Sequence, residues 1–335
     1  MKNKYEFMFF IQAKNCNPNG DPDAGNQPRM DAETGLGYIT DVAIKRRIRN
    51  YVDEVYSKKP GMDIIMKDGA ALNREIAHII TEVTGEFPKN KTKGKDTANA
   101  AKKACELFYD VRAFGGVLST GKNAGQIKGP VQFEFAQSLD EILPQDKTIT
   151  RMCYTDEPSK NGAKSMEEYD RFDKELDNDK KRTMGRKQFI PYGLYVCKGY
   201  LSACIAEKTG FSEKDFDVLL EAIMNMYELD HSASKTGMSI ISPLIIFKHV
   251  GTQSDKNSEQ NIKEAMLGCA PAYKLFELIN IHQKEEIIYP RDYRDYFINI
   301  DMKNIPNGVE IGFKENAFEN IVWNKIPERE TWINK

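Results

Sequence analysis

Residues 116–122, Gly-Val-Leu-Ser-Thr-Gly-Lys, have the G-x-x-x-x-G-K spacing of a loop that wraps nucleotide phosphates. Asn123 follows, where magnesium needs a Ser or Thr hydroxyl, and AGQIKGP cannot form the long helix whose N-terminus would face the anion. Nucleotide hydrolysis is set aside. The run still offers glycines that let a backbone approach a partner closely, and Lys122 and Lys128 supply positive charge beside them. A ligand-free polar loop between two strands is the competing reading.

Asn19, Asp21 and Asp23 alternate as in a calcium loop, but Ala24 replaces the required glycine and Met30 the bidentate glutamate. A loop wired by Asx turns fits better. His78, His231, His249 and His282 are isolated from one another. Asp230-His231-Ser232 contains the residue types of a catalytic triad, yet adjacent residues do not reach triad geometry. No catalytic constellation, metal site or cofactor motif is expected. A metal-dependent RNA nuclease would have to use Asp21, Asp23 and Asp31, with no general base in sight.

TDVAIKRRIRNY gives the strongest chemical signal. Lys45 and Arg49 lie one helical turn apart with Arg46 beside them, and the helix start faces the polar loop NCNPNGDPDAGNQPR. Both the charges and the helix N-terminus suit phosphate oxygens; a solvated basic face is the alternative. Arg112-Ala-Phe114-Gly115-Gly116-Val117 begins like the RNA-binding strand signature, but Gly116 and Ser119 replace two of its three aromatics. Backbone contact is therefore expected in place of base stacking.

These residues need a scaffold. Tyr5, Phe7, Phe9, Ile11 and Ala13 alternate over 4–14 and predict a strand with that face on a core. Thr40 or Asp41 caps a helix over about 41–55, with Ile44, Ile48, Tyr51, Val52 and Val55 on its apolar face. Residues 58–109 read as a mainly helical insertion whose PKNKTKGKDTANAAKK stretch, with six lysines against one aspartate, forms a mobile loop. Val131, Phe133 and Phe135 alternate in another strand, and further strands fall within 189–206 and 239–249, Pro243 favouring an edge or start. Residues 156–187 carry nine acidic and nine basic positions and few large apolar ones, so they protrude as an arm. Ser212 and Asp215 form a capping box for a helix stapled by Phe211 and Phe216, and DYFINIDM and VEIGF close the chain as strands. The order suits an α+β fold with a ferredoxin-like antiparallel sheet and two helices on one face.

The 335 residues are 40% apolar and 29% charged, with a formal net charge of −2, so any polyanion site must be local. The six cysteines form no C-x-x-C pair, which points to a reducing cytoplasm. No stretch nears the ~20 apolar residues of a membrane span.

Three blocks, NPNGDPDAGNQPRMDAETGLGYITDVAIKRRIRNYV, DVRAFGGVLSTGKNAGQIKGPVQFEFAQS and HSASKTGMSIISPLIIFKH, resemble in order the crRNA-backbone subunit of the type I-C CRISPR surveillance complex, Cascade, in the Cas-seven family. The resemblance implies one RRM-like palm over 1–335, a helical finger at 58–109 and an extended thumb hairpin at 150–188. It implies no enzyme: copies stack head to tail along crRNA in a helical filament with other Cascade subunits, leaving bases to pair with target DNA in antiviral defence. By the same resemblance Thr40, Lys45, Arg46 and Arg49 contact guide phosphates, with Asn17, Asn19 and Gly20 in the loop beside them. Gly115, Gly116, Lys122 and Lys128 fall in a palm loop near the RNA, and Lys235 stands where the family usually has arginine. Met184, Arg186, Lys187 and Phe189 contact RNA or the next subunit. A monomeric single-strand binder is the other binding-class reading.

Overall fold

Strand β1 (Tyr5–Cys16) is apolar on both faces. Phe7, Phe9 and Ile11 point to one side, and Met8 and Phe10 to the other, all almost fully buried. The expectation of a single core face was incomplete, and the run FMFFI is the pattern of a strand covered on both sides. The structure, a computed structural model, describes residues 1–229, 231–328 and the backbone of 332–334. Asp230 of the triad-like triplet lies outside these residues.

After β1 the polar loop makes a small ribbon, β2 (Gly20–Asp21) with β3 (Gln27–Pro28), before strand β4 (Leu36–Ile39) and helix α1 (Asp41–Tyr56). Helices α2 (Leu72–Thr84) and α3 (Lys95–Leu107) pack Ile76, Ile79 and Ile80 against Ala100 and Ala104 in a core of their own. Gly85 ends α2 at φ 79°, the left-handed cap its position suggests. Short helix α4 (Tyr109–Phe114) leads into the hairpin β5 (Gly115–Val117) and β6 (Gln126–Lys128).

Strands β7 (Val131–Phe133) and β8 (Ala136–Glu141) follow. The strand pattern expected over Val131, Phe133 and Phe135 is broken between them: Phe135 is 54% exposed. Strand β9 (Gln145–Arg151) then pairs with the first part of β10 (Thr183–Leu201), Thr183 opposite Arg151, and helix α5 (Met166–Glu175) lies between them without one buried residue. That arm is a strand ladder continuing out of the main sheet.

After α6 (Ala203–Thr209) comes α7 (Glu213–Leu229), capped as its sequence predicts: Asp215 N donates to Ser212 Oγ at 3.2 Å and Ser212 N to Asp215 Oδ2 at 2.8 Å. Strand β11 (Met238–His249) returns beside β1. Pro243 sits inside β11, where the register to β1 shifts, so an irregular ladder accommodates its missing donor and no edge is needed. The remaining elements are α8 (Glu259–Leu267), α9 (Ala272–Phe276), β12 (Ile279–Gln283), β13 (Tyr296–Ile300), β14 (Val309–Lys314), β15 (Val322–Trp323) and β16 (Trp332–Asn334).

The large antiparallel sheet runs β15-β14-β11-β1-β10-β8-β4, with β7 and β9 also on β10. On one face Ile44, Ile48 and Val52 of α1 and Phe216, Leu219 and Ile223 of α7 meet Phe7, Phe9 and Ile11. On the other, Leu275 and Phe276 of α9 with Ile279, Ile298 and Ile300 of β12 and β13 cover Met8, Phe10 and Phe247. Each such ring or branched chain contributes about 1.5–3 kcal/mol on burial, so both layers hold the sheet.

Candidate nucleic-acid interface

The polar loop is fastened to the start of α1. Thr40 Oγ1 accepts from Ala43 N at 3.3 Å and caps the helix, while Asn19 Oδ1 accepts from Thr40 N at 3.0 Å and Thr40 Oγ1 at 3.1 Å. Asn17 is 2% exposed; its Nδ2 donates to Asn26 O at 2.7 Å and its N to Ser234 O at 2.9 Å. Lys235 Nζ donates to the carbonyls of Asn17 and Pro18. A Cβ on Gly20 would stand 1.9 Å from Asn26 Oδ1, so a larger residue there would displace the Asn26 side chain. Asn17, Asn19, Gly20, Thr40 and Lys235 thus meet at one place, and most of their polar atoms are used in building it.

The acidic side chains of this loop are used locally as well. Asp21 Oδ1 accepts from Asp23 N at 3.1 Å and Asp21 Oδ2 from Arg29 Nη1 at 3.2 Å, and Asp31 Oδ1 accepts from Glu33 N at 2.8 Å. The contacts to Asp23 N and Glu33 N are Asx turns, and that to Arg29 is an ion pair. Among the described residues no group of three or more His, Cys, Asp or Glu is placed to hold a metal ion.

The basic face of α1 is a joint. Lys45, 9% exposed, donates to Asp41 Oδ2 at 3.0 Å and to Gln132 Oε1 of β7 at 2.9 Å. Arg46 Nη1 donates to Met66 O at 2.9 Å. Arg49 Nε donates to Asp110 Oδ2 at 2.8 Å, and Asp110, 1% exposed, also accepts from Ile65 N at 3.0 Å and Met66 N at 3.3 Å. The Arg49 guanidinium lies 5.1 Å from the Phe114 ring centroid. Helix α4 is tied to α7 in the same manner by Arg112 Nη2 and Asp215 Oδ1 at 2.7 Å. Sequence reasoning passed over Asp110; its signal was a charged pair, Asp110 and Arg112, set among the apolar residues of YDVRAF.

The glycine-rich run serves chain-on-chain contact first. Gly115 has φ 77°, and a Cβ there would lie 2.3 Å from Ile127 O; one on Gly129 would lie 2.0 Å from the carbonyl carbon of Phe114. Gly116 has no such neighbour, and Lys128 beside it is exposed. Lys122 Nζ donates to Lys89 O at 3.0 Å and Thr92 N to Lys122 O at 3.0 Å, which stitches the lysine-rich loop of the insertion to the hairpin tip. The loop expected to be mobile is hydrogen-bonded there.

On the arm, the register sets Met184 and Arg186 opposite Thr150 and Thr148, and Lys187 and Phe189 opposite Lys147 and Gln145. Alternation puts the first pair on one face and the second on the other. Met184 is 76% exposed, Arg186 Nη1 is 3.7 Å from Asp146 Oδ2, and Lys187 Nζ donates to Ala233 O at 2.7 Å next to the Lys235 loop. At the sheet edge, the rings of Tyr38 and Phe135 stack with centroids 5.8 Å apart and planes at 10°.

The family model of "CRISPR-associated protein Cas7" matches residues 3–301. The chain belongs to the Cas7 family. A Cas7 protein of Haloferax volcanii is 28% identical to it over 235 residues, 65% of this chain and 62% of that protein, so the chain spans less than two thirds of that relative. A chain of a pre-nicking CRISPR RNA-guided surveillance complex is 15% identical, covering 73% of this chain and 76% of its own, with a TM-score of 0.43. A chain of another CRISPR RNA-guided surveillance complex is 12% identical with a TM-score of 0.41, covering 88% of this chain and 87% of its own. Among the described residues no helix is long and apolar enough to cross a membrane.

Proposed function

We propose that this Cas7 family chain is a non-catalytic crRNA-binding subunit of a type I-C Cascade complex, working in the cytoplasm in antiviral defence. Copies associate head to tail along the guide and with the other Cascade subunits, and the guide's bases are left to pair with a target DNA strand. The protein holds the backbone and base pairing reads the sequence, the division of labour of RNA-guided effectors. The observation that carries the reading is the family match across residues 3–301. The order β11-β1-β10-β8, with α1 after β1 and α7 after β10, supports a ferredoxin-like, RRM-like palm, with α2 and α3 as its finger and the β9–β10 arm as its thumb.

In this reading the guide lies along the polar loop, the sheet edge and the base of the arm. Exposed Lys128 and Arg186 supply cations, and the loop of Asn17, Asn19, Gly20, Thr40 and Lys235 supplies a preorganised floor. Lys45 acts chiefly by tying α1 to β7, and Arg46 and Arg49 by tying α1 to the segment that leads into and out of the finger, so that the groove keeps its shape.

The test is assembly. Purified chain mixed with single-stranded guide RNAs of increasing length should give particles whose mass, by size exclusion with light scattering, rises in steps of one protomer. A single protomer per RNA at every length would favour a monomeric binder; no association at low salt would end the reading.

A further inference from the structure

We propose that Tyr38 and Phe135 form a platform on which one nucleobase of a bound single-stranded RNA stacks. The inference rests on the RNA-binding reading above and adds to it a mode of contact that the residue pattern argued against.

A bulge creates the platform. Both β7 and β8 pair with β10, Phe133 opposite Gly199 and Gln137 opposite Val196. Between those pairs the β7–β8 segment uses one residue more than β10, the signature of a β-bulge, which re-aims side chains. Without it Phe135 would follow Val131 and Phe133 into the core. With it Ala136 turns inward at 0% exposure and Phe135 turns outward at 54%. The ring then lies nearly parallel to Tyr38, planes at 10°.

The surroundings are those of a nucleotide site. Residues directly opposite in a ladder share a face, and one such row crosses the sheet through Phe10, Val196, Gln137 and Tyr38. Phe10 lies beneath the layer of α9, β12 and β13, Val196 is half covered by it, and Gln137 and Tyr38 are beyond its reach. The row ends at Arg29, whose carbonyl accepts from Tyr38 N at 3.0 Å, next to the Met30–Gly37 bridge. Arg29 Nη1 bonds Asp21 at 3.2 Å, while its Nε is buried with no hydrogen-bond partner.

A flat ring and an exposed amide match the face and the edge of a nucleobase. The polar members of the row favour RNA over an apolar protein partner. Tyr38 also stands two residues before Thr40, which caps α1, so the platform continues the surface of the polar loop.

The test uses the full chain and single-stranded RNA carrying 2-aminopurine at successive positions, with Phe135→Ala and Phe135→Trp compared to wild type at two salt concentrations. Stacking predicts that wild type quenches the fluorophore and that Phe135→Ala weakens binding roughly 5- to 100-fold, the range of one lost base–aromatic contact. The salt slope should stay unchanged, since no phosphate contact is removed, and Phe135→Trp should restore both affinity and quenching. Equal affinity and quenching for Phe135→Ala would overturn the platform and leave RNA binding intact. Unchanged affinity per protomer with loss of larger assemblies would make the pair a contact between copies, also overturning it. If wild type bound no RNA, the functional reading itself would fall and take the platform with it.

Discussion

Arg49 Nε donates to Asp110 Oδ2 at 2.8 Å, and this contact joins α1 to α4. Asp110 also receives the N–H groups of Ile65 and Met66, so one buried carboxylate gathers three donors from α1 and the stretch between α1 and α2. Removing its cationic partner leaves a carboxylate that is 1% exposed with two backbone N–H groups and no opposite charge. Breaking a buried pair in this way costs about 3–5 kcal/mol. Arg49→Ala should therefore lower the denaturant midpoint sharply, and Asp110→Asn in the same chain should recover part of the loss. A variant of wild-type stability whose RNA affinity falls, with a salt slope smaller by about one, would mark Arg49 as a phosphate contact instead.

Lys235 ties the loop before β11 to the polar loop through the carbonyls of Asn17 and Pro18. A hydrogen bond from a charged donor contributes about 1.5–3 kcal/mol, enough to decide whether a loop stays closed. Lys235→Met is expected to speed amide exchange in residues 17–29 on the order of tenfold, while β1 stays protected. Lys235→Arg keeps a charged donor and should exchange more slowly than the methionine variant. Uniform acceleration across the molecule would mean that the lysine supports the whole fold.

Much of the scaffold is legible from residue spacing because the signals are local. The Ser212–Asp215 box, the Thr40 cap and the alternation in β1 each follow from residues a few positions apart. What stays hidden depends on distant partners. The basic triplet of α1 has the pattern of an anion site, and nothing nearby in sequence announces that Gln132, Met66 and Asp110 take up its donors. Phe135 follows the alternation of Val131 and Phe133, so only the pairing of both β7 and β8 with one long strand shows the extra residue that turns it outward. The second layer over Phe10 likewise comes from residues more than 260 positions later in the chain, in α9, β12 and β13.

The segment before β13 is held by charge, which gives it a pH dependence of known sign. A hydrogen bond from Arg294, assisted by Lys14, keeps the Asp292 carboxyl below its ordinary value of 3.8 against a smaller opposing effect of burial. A depressed carboxylate contributes stability that is present above its unfolded pKa and is lost as pH falls through the folded one. The tie between Lys14 and Asp292 should accordingly persist at pH 5 and weaken well below pH 4. Limited proteolysis within 284–295 is expected to be slow at pH 5 and 7 and faster in acid, with Asp292→Asn already cut quickly at pH 7. Equal cleavage of wild type and variant at pH 7 would show that the pair contributes nothing to closure.

Cysteine reactivity offers a check on the core that needs no substitution. Burial pushes the thiols of Cys16 and Cys105 up to about 11 and that of Cys197 well above its usual value, so hardly any thiolate exists there at neutral pH. Only the thiolate is the nucleophile, and it must also be reached by the reagent. Cys153, on the arm, is exposed and free. Brief iodoacetamide treatment of the native chain at pH 7.5, read by peptide mass spectrometry, should label Cys153 first and leave Cys16, Cys105 and Cys197 unmodified until denaturant is added. Cys16 is the most informative of these, because its Cα faces Ile190 across the β1–β10 ladder at the foot of the arm. Early labelling of Cys16 with Cys197 still protected would mean that the arm's base opens away from β1 while the rest of the sheet stays closed.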